Sequence, residues 1–237
     1  MRVWVTRAEP DAHRTAEALR AVGHQPLVWP LLRVQSLPAG LELTASLEGV
    51  AALAFTSAAG VRAFAGLRPT ERDWPVFTVG EATARAARAA GFVDVISGHG
   101  DSAALAHVIA GHATRPQGAV LHPGARDLAG DLAGALHALG LPARTVALYE
   151  TLPEPLSAEL IDALDANPPS LDAVLIHSAK AARLLAEVLT PRPALTAILT
   201  LAALSEAAAA PLAGLAFARR RIAQTPTEPA LLATLES

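Results

Sequence analysis

One phrase is written twice in this chain. The apolar run Val50 to Phe55 breaks into Thr56-Ser57, and a helical pattern begins at once, with Val61 and Phe64 spaced to face a core. Near residue 175 the order recurs: Ala173-Val174-Leu175-Ile176, then His177-Ser178, then a helical run carrying Ala181, Ala182, Leu184 and Leu185. A short apolar run that ends in a hydroxyl N-cap and a helix is the pattern of a buried strand feeding a helix. Two copies of it imply two related halves and a repeated site.

The rest of the chain fits that alternation. Val3-Trp4-Val5 reads as a strand ending in Thr6-Arg7, followed by a helix whose apolar face is Ala12, Ala16, Leu19 and Val22 and which Gly23 stops. Pro26 to Val34 reads as extended, and 38–49 as a loop with a short helix. Val76 to Val79 is a buried strand, and Gly80-Glu81-Ala82-Thr83 turns into an alanine-rich helix. Val93 to Ile96 follows, then a turn holding Gly98, His99 and Gly100, and a helix capped by Asp101 or Ser102. Ala119-Val120-Leu121 ends in His122-Pro123-Gly124, which opens a helix carrying Leu128, Leu132, Leu136 and Leu139. Ala143 to Leu152 is extended and holds the only tyrosine, Tyr149. Ala197 to Leu201 reads as a strand before Ser205-Glu206, Arg219-Arg220-Arg221 as a solvated approach to Ile222-Ala223, and Thr227 as the start of a last helix.

Strands alternating with helices imply an α/β protein with parallel sheets. The phrases run A, B, A′, B′, with A at Thr6 or Gly124 and B at Ser57 or Ser178. Either consecutive halves fold separately, or the middle of the chain is inserted into a domain made by its two ends. The proline-marked extended stretches near 30–38 and 147–155 sit where a two-stranded link would fall in the second arrangement, but pattern alone does not choose.

Composition limits the function. The 237 residues are 52% hydrophobic and carry a net charge of -3, so no basic field invites nucleic acid. No cysteine is present, which excludes thiol catalysis and disulfides, and the brief N-terminal apolar run is not a signal peptide; a cytoplasmic protein is the expectation. The longest apolar stretch, Leu201 to Ala218, is interrupted by Ser205, Glu206 and Pro211 and does not read as a membrane span.

In parallel sheets the strand-to-helix turns share one edge, where ligands bind and free helix N–H groups attract anions. Thr6, Ser57, Gly80, Ser102, Gly124, Ser178, Ser205 and Thr227 stand at such turns. Each alone is explained as an N-cap; the repetition points to a polyanionic ligand. His107 and His112 lack a third metal ligand, and His122 and His177 read first as packed turn residues. No serine-nucleophile elbow, phosphate-binding lysine loop or dinucleotide fingerprint occurs.

Read in order, Val5-Thr6-Arg7, the stretch Phe55-Thr56-Ser57-Ala58-Ala59-Gly60-Val61, the turn Val79-Gly80-Glu81-Ala82-Thr83-Ala84, the segment Val146-Ala147-Leu148-Tyr149-Glu150-Thr151 and Thr225-Pro226-Thr227-Glu228 resemble uroporphyrinogen-III synthases. The resemblance spans almost the whole chain. It implies two flavodoxin-like parallel-sheet domains interleaved in sequence, with 1–33 and 154–237 in one, 38–146 in the other, and 34–37 with 147–153 as a two-stranded β connector. It also implies a cofactor-independent lyase, acting as a monomer without metal, nucleic acid or membrane, that closes hydroxymethylbilane with inversion of ring D. The implied catalytic residue is Tyr149. The implied substrate contacts are Thr6, Arg7, Thr56, Ser57, Ala58, Gly80, Thr83, Gly124, Ser178 and Thr227. The sequence departs from the family at Leu204-Ser205-Glu206-Ala207-Ala208, where a Gly-x-x-Thr turn is usual. A non-catalytic two-domain binder of a small polyanion and a nucleotide-sugar transferase are the competing readings.

Overall fold

Neighbouring residues of each inner strand belong to opposite cores. In β9 (Ala173–Ile176), Ala173 and Leu175 pack with Val3, Val5, Leu19 and Leu231, whereas Val174 and Ile176 pack with Trp4, Leu160, Leu185 and Leu201. A strand so placed is apolar at every position because helices cover both faces of its sheet. The computed structural model describes residues 1–38, 43–44, 46–98, 100–112, 116–128, 130–166 and 168–236. The expected loop and helix over 38–49 lie partly outside these residues, and His99 lies outside them.

Two sheets result. The first has the order β11-β10-β9-β1-β2, from β1 (Arg2–Val5), β2 (Gln25–Val28), β9, β10 (Thr200–Ala203) and β11 (Arg219–Ile222). The second has the order β3-β8-β7-β4-β5-β6, from β3 (Leu32–Ser36), β4 (Val50–Phe55), β5 (Val76–Thr78), β6 (Val95–Ser97), β7 (Ala119–Ala125) and β8 (Ala143–Pro153). The pairs β1–β2, β1–β9, β9–β10 and β10–β11 are parallel, as are β4–β5, β4–β7, β5–β6 and β7–β8. The sheets are interleaved in sequence: the chain divides into one compact unit of 1–33 with 152–237 and another of 34–151. The divisions fall inside β3 and β8, which neighbour each other.

Counted from β1, the first sheet has the flavodoxin-like strand order. Counted from β7, strands β7, β8, β4, β5 and β6 occupy the same places in the second sheet. Each sheet therefore has a switch point, β1/β9 in the first and β7/β4 in the second, where connections leave in opposite directions and ligands bind beyond the strands' C-terminal ends. The helices of the first unit include α1 (Asp11–Ala21), α6 (Ala158–Asp165), α7 (Ala179–Leu189) and α10 (Glu228–Ala233). Those of the second include α2 (Ala58–Leu67), α3 (Glu81–Ala89), α4 (Ser102–Ala110) and α5 (Leu132–Ala138); the short α8 (Pro193–Thr196) and α9 (Glu206–Ala209) flank β10. Phe55 of β4 meets Phe64 of α2 edge-on at 5.9 Å, which seats α2 on one face, while Leu105 of α4 and Leu132 of α5 pack with Ala52 and Ala54 on the other.

Several elements differ from the sequence reading. Gly124 does not open a helix: β7 runs through it to Ala125, and α5 starts later, behind Asp131, whose carboxylate accepts from Gly134 N at 2.8 Å. Leu128 is outside the helix and exposed. Thr6 caps nothing, since α1 begins at Asp11. Val22 ends α1 and is exposed, and Val93 precedes β6 with 91% of its surface in solvent. Arg219-Arg220-Arg221 is not an approach to the last strand but most of β11, an edge strand whose long side chains lie over neighbours; Arg220 donates to Leu212 O at 2.7 Å. Ala197 closes α8, and the strand begins at Thr200.

Candidate functional site

At the β1/β9 switch point the residues after each strand are tied together by one carboxylate. Glu228 is the first residue of α10, which Thr227 caps by accepting from Ala230 N at 3.4 Å. Its Oε2 accepts from Arg7 Nη1 at 3.0 Å and from His177 Nε2 at 3.1 Å, and its Oε1 accepts from the Thr15 hydroxyl at 2.5 Å. Arg7 also pairs with Asp11 at 3.5 Å. Burial opposes the charge on Glu228, but the bond and field of His177, the Thr15 hydroxyl and Arg7 outweigh it and bring the carboxyl down to about 2. A carboxylate only accepts, so His177 Nε2 carries the hydrogen of this bond. Burial also holds the His177 pKa below its usual value, and its Nδ1 is buried without a partner among the described residues. Thr6 is fully buried, and its hydroxyl donates to Leu175 O at 2.7 Å, closing β1 onto β9. Ser178 caps α7, accepting from Ala181 N at 3.2 Å.

The β7/β4 switch point is built from neutral groups. Thr56 and Ser57 follow β4. The Thr56 hydroxyl lies 3.0 Å from His122 Nε2, and Ser57 Oγ accepts from Gly60 N at 3.0 Å while meeting the Tyr149 hydroxyl at 2.8 Å. His122 is 1% exposed; burial lowers its pKa to about 4 against a smaller opposing pull from Asp131, so the ring is neutral at pH 7. Tyr149 lies in β8 between β3 and β7, not on an open edge, and is 6% exposed. Burial raises its phenol above the usual value, against lowering by Ser57 and Arg62, so it keeps its proton. Gly60 is required here, because a Cβ would come within 2.7 Å of Pro123 O. Gly124 leaves room for the His122 ring, which a Cβ would approach to 3.2 Å.

The structure thus gathers Thr56, Ser57, Ala58, Gly124 and Tyr149 at one switch point, and Thr6, Arg7, Ser178 and Thr227 around the other. Gly80 follows β5 as the N-cap of α3, beside the end of β4 through Val79 N to Phe55 O at 3.2 Å, and Thr83 is buried in the first turn of that helix. Four participants escaped the sequence reading: Glu228, Thr15, His177 as a donor to Glu228 and His122 as a partner of Thr56. A glutamate at a helix start is ordinary, and a histidine in His-Pro-Gly reads as turn chemistry, so neither carried a signal.

The family model for uroporphyrinogen-III synthase HemD matches residues 13–233. The chain belongs to that family. Its fold is shared with uroporphyrinogen-III synthetase from Helicobacter pylori 26695, at a TM-score of 0.63 and 18% identity over 99% of this chain and 97% of that one. It is shared too with a mutant uroporphyrinogen III synthase from the extremely thermophilic bacterium Thermus thermophilus, at a TM-score of 0.58 and 20% identity over 99% and 95% of the two chains. No curated protein sequence matches the chain significantly. Membership of the uroporphyrinogen-III synthase family implies a lyase-type enzyme of tetrapyrrole and heme biosynthesis acting on a small molecule, hydroxymethylbilane. Among the described residues no helix is long and apolar enough to cross a membrane, and no group of three or more histidine or acidic side chains is placed to hold a metal ion.

Proposed function

We propose that the chain closes hydroxymethylbilane to uroporphyrinogen III with inversion of ring D. The observation that carries this reading is the family match over residues 13–233; the concentration of polar groups at both switch points supports it. Water leaves first and generates an azafulvene cation. The terminal pyrrole then attacks through its substituted carbon to give a spiro intermediate, whose reopening and reclosure invert the ring. The pyrroles are reactive already, so the protein's part is to fold the chain and accommodate charge, with no cofactor in the chemistry.

Tyr149 is the proposed acid for the departing hydroxyl. Its burial keeps it protonated, and its contact with Ser57 gives a two-hydroxyl path. The proposed carboxylate contacts are Arg7, Thr56, Ser57, Ala58, Gly80, Ser178 and Thr227, the last three at helix starts where backbone N–H groups point outward. Thr6 and Thr83 are buried and Gly124 lies within β7, so these three hold the turns rather than side-chain contacts to the ligand.

The test is turnover of hydroxymethylbilane by the purified chain, with separation of the oxidised isomers. The spontaneous product is type I, so a type III product is expected, and type I alone overturns the reading. Tyr149→Phe should lower kcat by about 100-fold or less, the lower end for a general acid, because the pyrrole nitrogen already assists loss of the hydroxyl, with KM little changed. Full activity in Tyr149→Phe alongside a destabilised Tyr149→Ala would leave this residue a packing role.

A further inference from the structure

His122 and Thr56 form a pair whose roles can be assigned. The imidazole is 1% exposed while Thr56 is partly exposed, so of the two only the hydroxyl can meet a ligand. Nε2 lies 3.0 Å from Thr56 Oγ1, and Nδ1 is buried without a partner among the described residues. A neutral imidazole carries one hydrogen. On Nδ1 it would be a buried N–H with no acceptor among the described residues, and buried side-chain donors are seldom left unpaired. On Nε2 it is satisfied by Thr56. A threonine hydroxyl has one hydrogen and one rotor, so an oxygen that accepts from the ring must point its own hydrogen elsewhere. The pair stands at the β7/β4 switch point, where the sheet's connections diverge and ligands dock.

We propose that His122 is a positioning residue: its Nε2–H donates to Thr56 Oγ1 and thereby commits the Thr56 hydroxyl to donate to an anionic oxygen of the ligand. The anionic oxygen is a carboxylate of the tetrapyrrole chain, and this part rests on the function proposed above. Gly124 has a reason in the same scheme, since a side chain there would crowd the ring that aims Thr56. The buried phenol of Tyr149 is paired with Ser57.

Two measurements test the assignment. Long-range nitrogen–proton NMR of the whole protein at pH 7 reports the His122 tautomer directly. A neutral ring protonated at Nε2 is expected; a hydrogen on Nδ1, or an imidazolium, overturns the proposal. Kinetics on hydroxymethylbilane tests the consequence. His122→Leu and Thr56→Val should each raise KM by about tenfold, the size of one hydrogen bond to a charged group, with a smaller change in kcat. The double variant should be no worse than Thr56→Val. His122→Gln, which can present an N–H near the same place, and Thr56→Ser should both stay within about twofold of wild type. Losses that add in the double variant, or Gln and Leu behaving alike, overturn the proposal. If the wild-type chain makes no type III isomer, the functional reading falls, and the NMR result still decides the hydrogen-bond assignment.

Discussion

Both switch points hold a histidine, but His177 faces a carboxylate and His122 faces a hydroxyl. At β1/β9 every hydrogen bond to Glu228 has a fixed sense, because a carboxylate only accepts. The result joins β1, α1, β9 and α10, four segments drawn from both ends of the sequence. At β7/β4 the polar groups are three hydroxyls, on Thr56, Ser57 and Tyr149, each of which can both donate and accept. The ionic arrangement joins distant chain segments, and the neutral one pairs hydroxyls with each other and with a neutral imidazole. A repeated strand–turn–helix phrase thus meets a carboxylate network in one copy and a set of neutral hydroxyls in the other.

The largest effect should come from breaking the ionic side. Glu228→Ala removes the acceptor shared by Arg7, Thr15 and the His177 N–H, and leaves Arg7 only Asp11 and the Thr15 oxygen. Removing one partner of a buried ion pair costs about 3–5 kcal/mol, and the lower end is expected because Glu228 keeps 26% of its side chain in solvent. Urea unfolding measures it; a loss below about 1 kcal/mol would mean that the network does not hold these segments together.

Acid should separate the two sides. His122 titrates near 6.5 when exposed and about 4 in the fold, chiefly through burial. The unfolded chain binds more protons between those values, so stability is full above the unfolded value and falls as pH drops toward the folded one, by at most about 3 kcal/mol. His177, also lowered mainly by burial, adds in the same direction. Glu228 acts later: its folded value of about 2 lies under the ordinary 4.5, so its contribution is full above 4.5 and fades as pH falls toward 2. Unfolding free energies from pH 7 to pH 3 should show both limbs, and His122→Gln should flatten only the upper one. An unchanged upper limb would place that proton uptake elsewhere.

The smallest predicted effect compares the two copies of the phrase directly. Ser178→Ala loses a helix cap, about 1 kcal/mol. Ser57→Ala loses a cap and the partner of a buried phenol, about 1 kcal/mol more. Equal losses in thermal or urea unfolding would show that the Ser57–Tyr149 bond adds nothing.

Much of this was legible in the sequence. Strands covered on both faces betray themselves as unbroken apolar runs, and the caps at Ser57, Ser178 and Thr227 stand where hydroxyl chemistry puts them. Partners were not legible from pattern, because β1 pairs with a strand at residue 173 and nothing local announces it. Arg219-Arg220-Arg221 lacks every strand signal, and the sheet edge overrides that by letting the Arg220 guanidinium donate to Leu212 O and sit 5.9 Å from the centre of the Phe217 ring. His122-Pro123-Gly124 reads as a turn, yet β7 continues because its register with β4 ends at Leu121 while that with β8 goes on through Pro123 and Gly124. A proline is tolerated where only one neighbour needs the ladder. The Glu228 cluster was invisible because Arg7, Thr15, His177 and Glu228 meet only after the sheet has formed.

The pairing of β1 with β9 also sets an order of events on the ribosome. Arg2 and Asp172, which meet across that pair at 2.9 Å, are 170 residues apart, whereas strands β4 to β8 lie within 50–153. At ordinary elongation rates β1 waits about 10–30 s for its inner neighbour, while the inserted unit already has all its strands. The middle of the chain should mature first and the N-terminal segment last. Limited proteolysis of nascent chains arrested before residue 173 would show it: the expected pattern is a protected 34–151 segment with a cleavable N-terminus, and early protection of β1 would contradict the order.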